Sequence, residues 1–408
     1  MSLCEIATLS RRKMLGLSGS LVASAFIPKF ARAADGRDPR LIAIILRGAM
    51  DGLSAVAPVG DPDYAGLHGD LALGFLGENA GLGLNSFFAL NPAMTNFARL
   101  YKSGQAAVVH AVATGYRERS HFDGQDVLES GFAGPGNVSS GWLNRAISAI
   151  PNGSRVARNP SLAVGAVAPL IIRGPAETLG WAPVNLPGPT QDINQRLLDL
   201  YQHTDVKLAK LFSESIKTQM LVSGQAMDVS MGKANQGGDM VAQARGAAKL
   251  MAADDGPRIA AMAFDGWDTH ENEGGAKGRL FNLLTGLDGA IAEFETGLGA
   301  AWAQTAIVVM SEFGRTVNVN GTDGTDHGTG TLAFLAGGAI KGGRVIADWP
   351  GLKNAALFQG RDLKPTTDLR SVLKGLLVDQ FGLSNEALTK DIFPDSGLIM
   401  PMKGLIGA

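Results

Sequence analysis

Cysteine is almost absent from this 408-residue sequence, which has a single residue of that type, Cys4. One cysteine excludes a disulfide framework and a zinc site built from thiolates. The sequence also has little excess of either charge, because 36 basic and 38 acidic residues leave a net charge of −2. The protein therefore has no overall positive electrostatic field that would attract nucleic acid. Hydrophobic residues at 45% exclude a disordered chain and indicate a globular protein with a large core.

The N-terminal segment has the pattern of an export signal. Arg11 and Arg12 precede an apolar stretch at residues 15–27, and a small-x-small cleavage pattern follows at residues 31–33. The apolar stretch is shorter than the roughly 20 residues that a membrane span needs. We therefore expect residues 1–33 to be a twin-arginine signal peptide rather than an anchor.

Removal of residues 1–33 changes the 36 basic and 38 acidic residues to 31 and 37, and the net charge to −6. It also removes Cys4, so the mature chain has no thiol, which suits an oxidising compartment. We expect a periplasmic or extracellular protein that meets the twin-arginine export machinery. Neither a stable membrane span nor a nucleic-acid partner is expected. No linker divides the remainder, which predicts one domain at 34–408.

Five short apolar runs predict strands. None alternates between polar and apolar residues, which is typical of buried parallel strands. The runs are Leu41–Leu46, Ala106–Val112, Arg258–Phe264, Ala306–Met310 and Thr331–Leu335.

Apolar residues at helical spacing separate these runs. Alternating strands and helices favour an α/β fold whose sheet is covered on both faces. Two glycine-rich connections, residues 59–90 and 130–160, are predicted as ordered loops. The predicted helices are Asn91–Tyr101, residues 190–222, residues 236–252, Lys277–Leu298 and Thr367–Phe381.

Reactive side chains follow the ends of the predicted strands. In open α/β sheets ligands bind at that edge, and carboxylates with imidazoles suit a divalent cation. Each motif also has a structural explanation, since Asp-Gly pairs form turns and serine or aspartate caps helices. The candidates in chain order are Asp51, Ser120, His121, Asp268, His270, Glu312, Arg315 and His327.

These motifs resemble the signature blocks of the domain-of-unknown-function family 1501, over about residues 40–400. That family is similar to the alkaline phosphatase and sulfatase superfamily. The resemblance implies a three-layer α/β/α sandwich with a mostly parallel central sheet and a site for two divalent metal ions. The blocks are Arg47-Gly-x-x-Asp51-Gly-Leu53, Arg119-Ser-His-Phe-Asp123, Gly266-Trp-Asp-Thr-His270, Ser311-Glu-Phe-Gly-Arg-Thr316 and Asp326-His-Gly328.

The superfamily pattern, carried over by residue, implies a role for each candidate. Asp51 matches the acidic ligand after the first strand, and Ser120 matches the nucleophile that also contacts a metal. Asp268 and His270 match the acid and the histidine of the other metal. Glu312 falls where an Asp-His pair normally stands, and His327 matches the late histidine ligand.

The sequence departs from that pattern at Phe313, where a histidine is expected. Either His121 supplies the missing ligand, or that metal is bound by oxygen atoms alone, or it is absent. Asp326 and His327 are an alternative Asp-His pair.

Two functions are compatible with these residues. The first is an exported metal-dependent hydrolase of phosphate or sulfate esters, with Ser120, His121 and Arg315 as catalytic candidates and Arg117 and Arg119 as further anion contacts. The divalent ion would be zinc, manganese, magnesium or calcium, and the substrate a small anionic ester or an envelope-associated one. The second is a non-catalytic exported binding or cell-envelope protein that keeps the fold with a degraded metal site.

Overall fold

The computed structural model describes residues 37–136, 138–151, 159–183 and 236–407, together with residues 156, 209, 210 and 213. The predicted signal peptide and almost all of the predicted helix at 190–222 lie outside these residues. No helix in the described part of the chain is both long enough and apolar enough to cross a bilayer.

A nine-stranded sheet forms the centre of the described structure. Two smaller sheets accompany it, a hairpin of two strands and a three-stranded sheet. Numbered along the chain, the strands are β1 (Arg40–Leu46), β2 (Val56–Ala57), β3 (Leu82–Gly83), β4 (Ala89–Leu90), β5 (Ala106–Ala113), β6 (Ser161–Val164), β7 (Thr178–Trp181), β8 (Ile259–Phe264), β9 (Thr305–Met310), β10 (Arg315–Val319), β11 (Thr325–His327), β12 (Thr331–Ala336), β13 (Arg344–Ile346) and β14 (Thr367–Asp368).

The strand order of the central sheet is β13-β5-β12-β9-β1-β8-β6-β7, and β14 pairs with β5. All neighbours are parallel except β12, which is antiparallel to both β5 and β9. The five predicted strands are all present, but the prediction that β12 is parallel is wrong. Between β9 and β12 the chain forms only the β10–β11 hairpin, with no crossover helix that would return it to the opposite edge of the sheet.

Helices cover both faces of this sheet, which confirms the α/β/α arrangement. Phe97, Met240 and Leu284 pack on one face, and Trp142 and Val372 pack on the other. The helices are α1 (Gly52–Ala55), α2 (Tyr64–His68), α3 (Thr95–Lys102), α4 (His121–Ser130), α5 (Trp142–Ala149), α6 (Gln236–Ala252), α7 (Arg279–Leu298), α8 (Leu369–Phe381) and α9 (Asn385–Ala387).

Strand β1 shows why the apolar runs do not alternate. Ile42 and Ile44 lie in the core beneath α3, α6 and α7, whereas Leu41, Ala43 and Ile45 lie in the core beneath α5 and α8. All five side chains are fully buried. A strand with helices on both sides must be apolar at every position.

Two predicted helix starts need correction. Helix α3 begins at Thr95 rather than Asn91. The Asn91 side-chain Nδ2 donates to the carbonyl oxygens of Ser54 and Gly275, each at 3.0 Å, and its backbone N–H donates to the Ala55 carbonyl oxygen at 2.9 Å, which hold Asn91 outside the helix. Helix α8 begins at Leu369, after an N-cap aspartate. The connections predicted as loops contain α2, β3 and β4 in one case and α5 in the other.

Candidate metal centre

The central strands bring three of the predicted segments together. Strands β9, β1 and β8 are adjacent and parallel, so the residues that follow them meet at one edge of the sheet. Helix α4 and the β10–β11 hairpin reach the same edge. They supply His121 and His327 next to Asp268 and His270.

Three imidazole rings converge on one carboxylate at this edge. Nε2 of His327 lies 2.9 Å from Nε2 of His121 and 2.9 Å from Nε2 of His270. Oδ1 of Asp268 lies 3.1 Å from His270 Nε2 and 3.3 Å from His327 Nε2. The ligand atoms of His121, Asp268 and His327 all fall within 4.8 Å of one another, the spacing of a possible metal site.

An oxygen atom faces the other nitrogen, Nδ1, of each ring. Carboxylate and carbonyl oxygens accept hydrogen bonds, so in the neutral rings Nδ1 carries the proton and Nε2 presents a lone pair. The partners are Glu312 Oε1 at 2.8 Å from His121, the Arg119 carbonyl oxygen at 3.0 Å from His327 and Asp326 Oδ1 at 3.4 Å from His270.

Three converging lone pairs repel one another unless a proton or a cation lies between them. Histidine ligands of metals usually donate their other N–H to a carboxylate or a carbonyl oxygen, as these rings do. Two electrostatic features agree. Burial, with the neighbouring charges of His121 and Arg315, lowers the pKa of His327. The Arg315 guanidinium lowers the pKa of Asp268 against the opposing effect of burial. The group therefore fits a divalent cation.

The Glu312 carboxylate lies against the Nδ1 atom of His121, on the opposite side of the ring from Nε2. This carboxylate is fully buried and also accepts hydrogen bonds from the Gly48 N–H at 2.8 Å and the Gln125 amide at 3.1 Å. Burial acts to raise the pKa of Glu312, but the hydrogen bonds from His121, Gln125 and Gly48 outweigh it and lower that pKa. The bond to Glu312 raises the pKa of His121 in turn. Glu312 thus contacts the Nδ1 side of His121, and the group with metal-ligand spacing in the described residues does not include it; the sequence predicted it as a ligand.

Phe313, at the position where the resemblance implies a histidine, packs against the imidazoles. Its ring stacks on His121 with centroids 5.0 Å apart and lies 5.3 Å from the ring of His327. His121 approaches from helix α4, as one of the sequence alternatives proposed.

Arg315 ties the loops of the site together instead of facing an anion. Its side chain is fully buried, and its N–H groups donate to four carbonyl oxygens and to Asp268 Oδ1 at 2.5 Å. The structure thus shows Arg315 bonded to groups of the protein itself, and its anion-holding role stays a prediction. The four carbonyl groups belong to Gly48, Ala49, Trp267 and Thr325.

Ser120 occupies the N-cap position of α4, immediately before His121. Its hydroxyl makes no capping hydrogen bond to the backbone of α4. The Ser120 N–H donates to the Tyr116 hydroxyl at 3.3 Å, and the two side chains interact. The serine is therefore beside the imidazole cluster in sequence, with a hydroxyl that the helix does not use.

The structure places Asp51 in a different cluster. Asp51 caps α1 by accepting hydrogen bonds from the N–H groups of Leu53 at 2.8 Å and Ser54 at 3.3 Å. His68 Nε2 lies 3.5 Å from its carboxylate. In the described residues, the group with metal-ligand spacing does not include Asp51. The structural explanation, a capped Asp-Gly turn, accounts for its contacts.

Glu273 completes this second cluster. The sequence patterns did not identify it as a candidate residue. It is fully buried and accepts a hydrogen bond from the Thr325 hydroxyl at 2.6 Å. Burial and the adjacent charge of Asp51 raise the pKa of Glu273 well above its usual value. No motif marks Glu273, because its partners come from segments distant in the chain.

The architecture and the site define an α/β/α sandwich protein with a histidine–carboxylate cluster at the carboxyl ends of its parallel strands. The chain belongs to the family described as "Protein of unknown function (DUF1501)", whose sequence model matches residues 38–393. This match confirms the family resemblance of the motifs. A comparison with curated proteins finds no match.

Solved structures similar to this chain include alkaline phosphatase-like and sulfatase proteins. The C-terminal periplasmic domain of EcEptC from Escherichia coli, in complex with zinc, is 10% identical, with a TM-score of 0.41 over 88% of this chain and 87% of that chain. PsFucS1 sulfatase from Pseudoalteromonas sp. is 11% identical, with a TM-score of 0.38 over 97% and 77%. A protein in the alkaline phosphatase superfamily from Vibrio parahaemolyticus is 12% identical, with a TM-score of 0.34 over 81% and 69%. These likenesses do not by themselves assign an activity.

Proposed function

We propose that this protein is an exported, metal-dependent hydrolase of phosphate or sulfate esters. The convergence of three imidazole Nε2 atoms on the Asp268 carboxylate supports the proposal most directly. Each ring is fixed through Nδ1, so the arrangement is prepared for a cation before any ligand arrives.

His121, His327, His270 and Asp268 would hold the ion. Nitrogen-rich ligand sets favour zinc, whereas magnesium and calcium prefer oxygen atoms. A bound divalent cation polarises an ester oxygen and stabilises the negative charge that develops there. The rings are partly exposed, which leaves the cluster open to a substrate from solvent.

Helix α4 presents its N-terminus at the same place. The first backbone N–H groups of a helix attract anions, and the Ser120 hydroxyl does not cap them. The anionic group of an ester would bind at these N–H groups, next to His121. Ser120 is the proposed nucleophile, since it stands at the helix terminus, immediately before His121 in the chain, and its hydroxyl does not cap the helix.

The export part of the proposal depends on the sequence pattern at residues 1–33. A precursor that is exported in folded form can acquire its ion before it leaves the cytoplasm. Cleavage after Ala33 and loss of export on Arg11→Lys with Arg12→Lys would test this part separately.

The central experiment is a screen of phosphate and sulfate esters with metal-loaded mature protein. Ser120→Ala should lower turnover by about three orders of magnitude or more, as loss of a nucleophile does. Ser384→Ala is the matched control, because Ser384 is also an N-cap serine but caps α9, distant in sequence from the site. Equal turnover in wild type and Ser120→Ala would remove Ser120 from the nucleophile role.

Phe313 favours a second candidate, a binding protein that holds one cation without catalysis. A phenylalanine ring occupies the side of His121 where the resemblance implies a further ligand. In that case the protein would bind zinc and yet turn over none of the esters in the screen.

A further inference from the structure

Asp362 lies behind His327 and has no role in the site as described so far. Its carboxylate is fully buried and accepts hydrogen bonds from three side chains. Oδ2 receives the Arg119 Nη2 at 2.7 Å and the Thr329 hydroxyl at 2.6 Å, and Oδ1 receives the Arg361 Nε at 2.8 Å. A buried carboxylate with two guanidinium partners makes strong, directional hydrogen bonds.

Both arginines also contact the backbone or the ring of His327. The carbonyl oxygen of Arg119 accepts the hydrogen bond from His327 Nδ1 at 3.0 Å. The Arg361 Nη2 donates to the carbonyl oxygen of His327. Asp362 therefore connects to the same histidine by two routes, one through each arginine.

The backbone conformation of Arg119 is unfavourable by itself, so contacts of its side chain must stabilise it. Its φ angle is +60°, a left-handed conformation that is unfavourable for a residue other than glycine. The side chain is fixed by Asp362 through Nε at 2.9 Å as well as Nη2, and by Gln359 at 2.6 Å. Release of that side chain would allow the backbone to relax and the carbonyl group to turn away from His327.

We propose that Asp362 is a positioning residue for the metal centre: it holds Arg119 and Arg361 so that His327 keeps its proton on Nδ1 and presents Nε2 to the cation. This proposal adds a positioning residue to the proposed function. It rests on the proposed function only for the presence of a cation at the site. The tautomer of His327 is, however, a property of the protein alone. The two ideas can therefore fail independently.

The first measurement is imidazole ¹⁵N NMR of histidine-labelled protein without added metal. The chain has six histidines, so single substitutions can assign the His327 signals. Wild type should show the proton on Nδ1 of His327, and Asp362→Asn should show a mixture of the two tautomers. A folded Asp362→Asn protein with an unchanged His327 tautomer would overturn the proposal.

The second measurement is calorimetric titration with zinc chloride. Loss of an outer-shell partner typically lowers metal affinity about 10–100-fold, and we expect that loss in Asp362→Asn. Asp368→Asn is the matched control, since Asp368 is also paired with an arginine but caps α8. Wild-type affinity in Asp362→Asn, or an equal loss in Asp368→Asn, would contradict the positioning role.

Arg119→Lys serves as a milder variant if Asp362→Asn does not fold. Lysine cannot reproduce the two bonds that Nε and Nη2 of Arg119 make to Asp362, so both readouts should shift in the same direction by a smaller amount. An Arg119→Lys protein with the wild-type tautomer and affinity would overturn the proposal. If wild type binds no zinc but shows the Nδ1 tautomer, the proposed function fails while the hold on His327 remains.

Discussion

At the scale of single residues, the imidazoles of the site are held through their Nδ1 atoms, and their Nε2 atoms face one another. Glu312, the Arg119 carbonyl group and Asp326 each face one Nδ1 atom. The proposed ligands include one carboxylate, Asp268. The residues that orient the rings are therefore as informative about function as the rings themselves.

Glu312→Gln tests the orientation of His121. The amide keeps the size of the side chain, but it removes the negative charge opposite His121 Nδ1, which lies 2.8 Å away. We expect zinc affinity to fall about 10–100-fold, as for other outer-shell partners. Calorimetric titration measures the change, with the exposed Glu386→Gln as control. An unchanged affinity would show that Glu312 does not orient the ligand.

Glu273→Gln tests the buried acid pair. Burial and the charge of Asp51 raise the pKa of Glu273, so the folded protein holds this proton more tightly than the unfolded chain. Stability from this group is fully present below the unfolded pKa and is lost as pH rises through the folded pKa. In the glutamine variant, the free energy of unfolding should fall less steeply with rising pH above about 4.5.

Urea unfolding at several pH values checks this, with Glu386→Gln as a surface control. The two variants are expected to differ in the slope against pH. If Glu273→Gln and wild type have parallel profiles, the pKa of Glu273 is not raised in the folded protein.

At the scale of elements, helix α4 places His121 at the edge of the central sheet, beside His327. Its inner face packs close to the loop that follows β9 because Gly124 has no side chain. A Cβ atom at Gly124 would lie 3.0 Å from the Phe313 ring and 3.3 Å from Glu312 Cβ. The position of His121 therefore depends on a small residue one turn along the helix.

Gly124→Leu should displace α4 from the Phe313 ring. Overpacking of this kind costs about 1–3 kcal/mol of stability, and zinc affinity should fall with it because His121 moves. Gly238→Ala is the helical control: nothing lies within 4 Å of a Cβ atom there, and alanine should stabilise the helix by up to about 1 kcal/mol. Chemical denaturation and zinc titration give both quantities, and wild-type values for Gly124→Leu would be inconsistent with this packing.

At the scale of the whole molecule, the sequence predicted the strands with long apolar runs and the α/β class. It did not predict β6, β7, β13 or β14, which are two to four residues long and too short to show a period. It also did not predict the direction of β12, because direction depends on the connection rather than on composition.

The site was predictable to the extent that strand ends mark it. His121, Asp268, His270 and His327 follow strands or open a helix near them, and the structure brings all four together. Asp51 also follows a strand, but its carboxylate accepts a hydrogen bond from the backbone N–H of Leu53 in the turn that follows. The sequence alone does not distinguish such a turn residue from a member of the cluster. Asp362 and Glu273 act through partners that are distant in the chain, so no local pattern identifies them.

We expect His121, Asp268, His270 and His327 to form one cation site. Calorimetric titration of the mature protein with zinc tests it most directly, with His327→Ala as the comparison. Wild type should bind one ion tightly per chain, and His327→Ala should lose that binding. No binding to wild type, or the same binding in the His327→Ala variant, would contradict it.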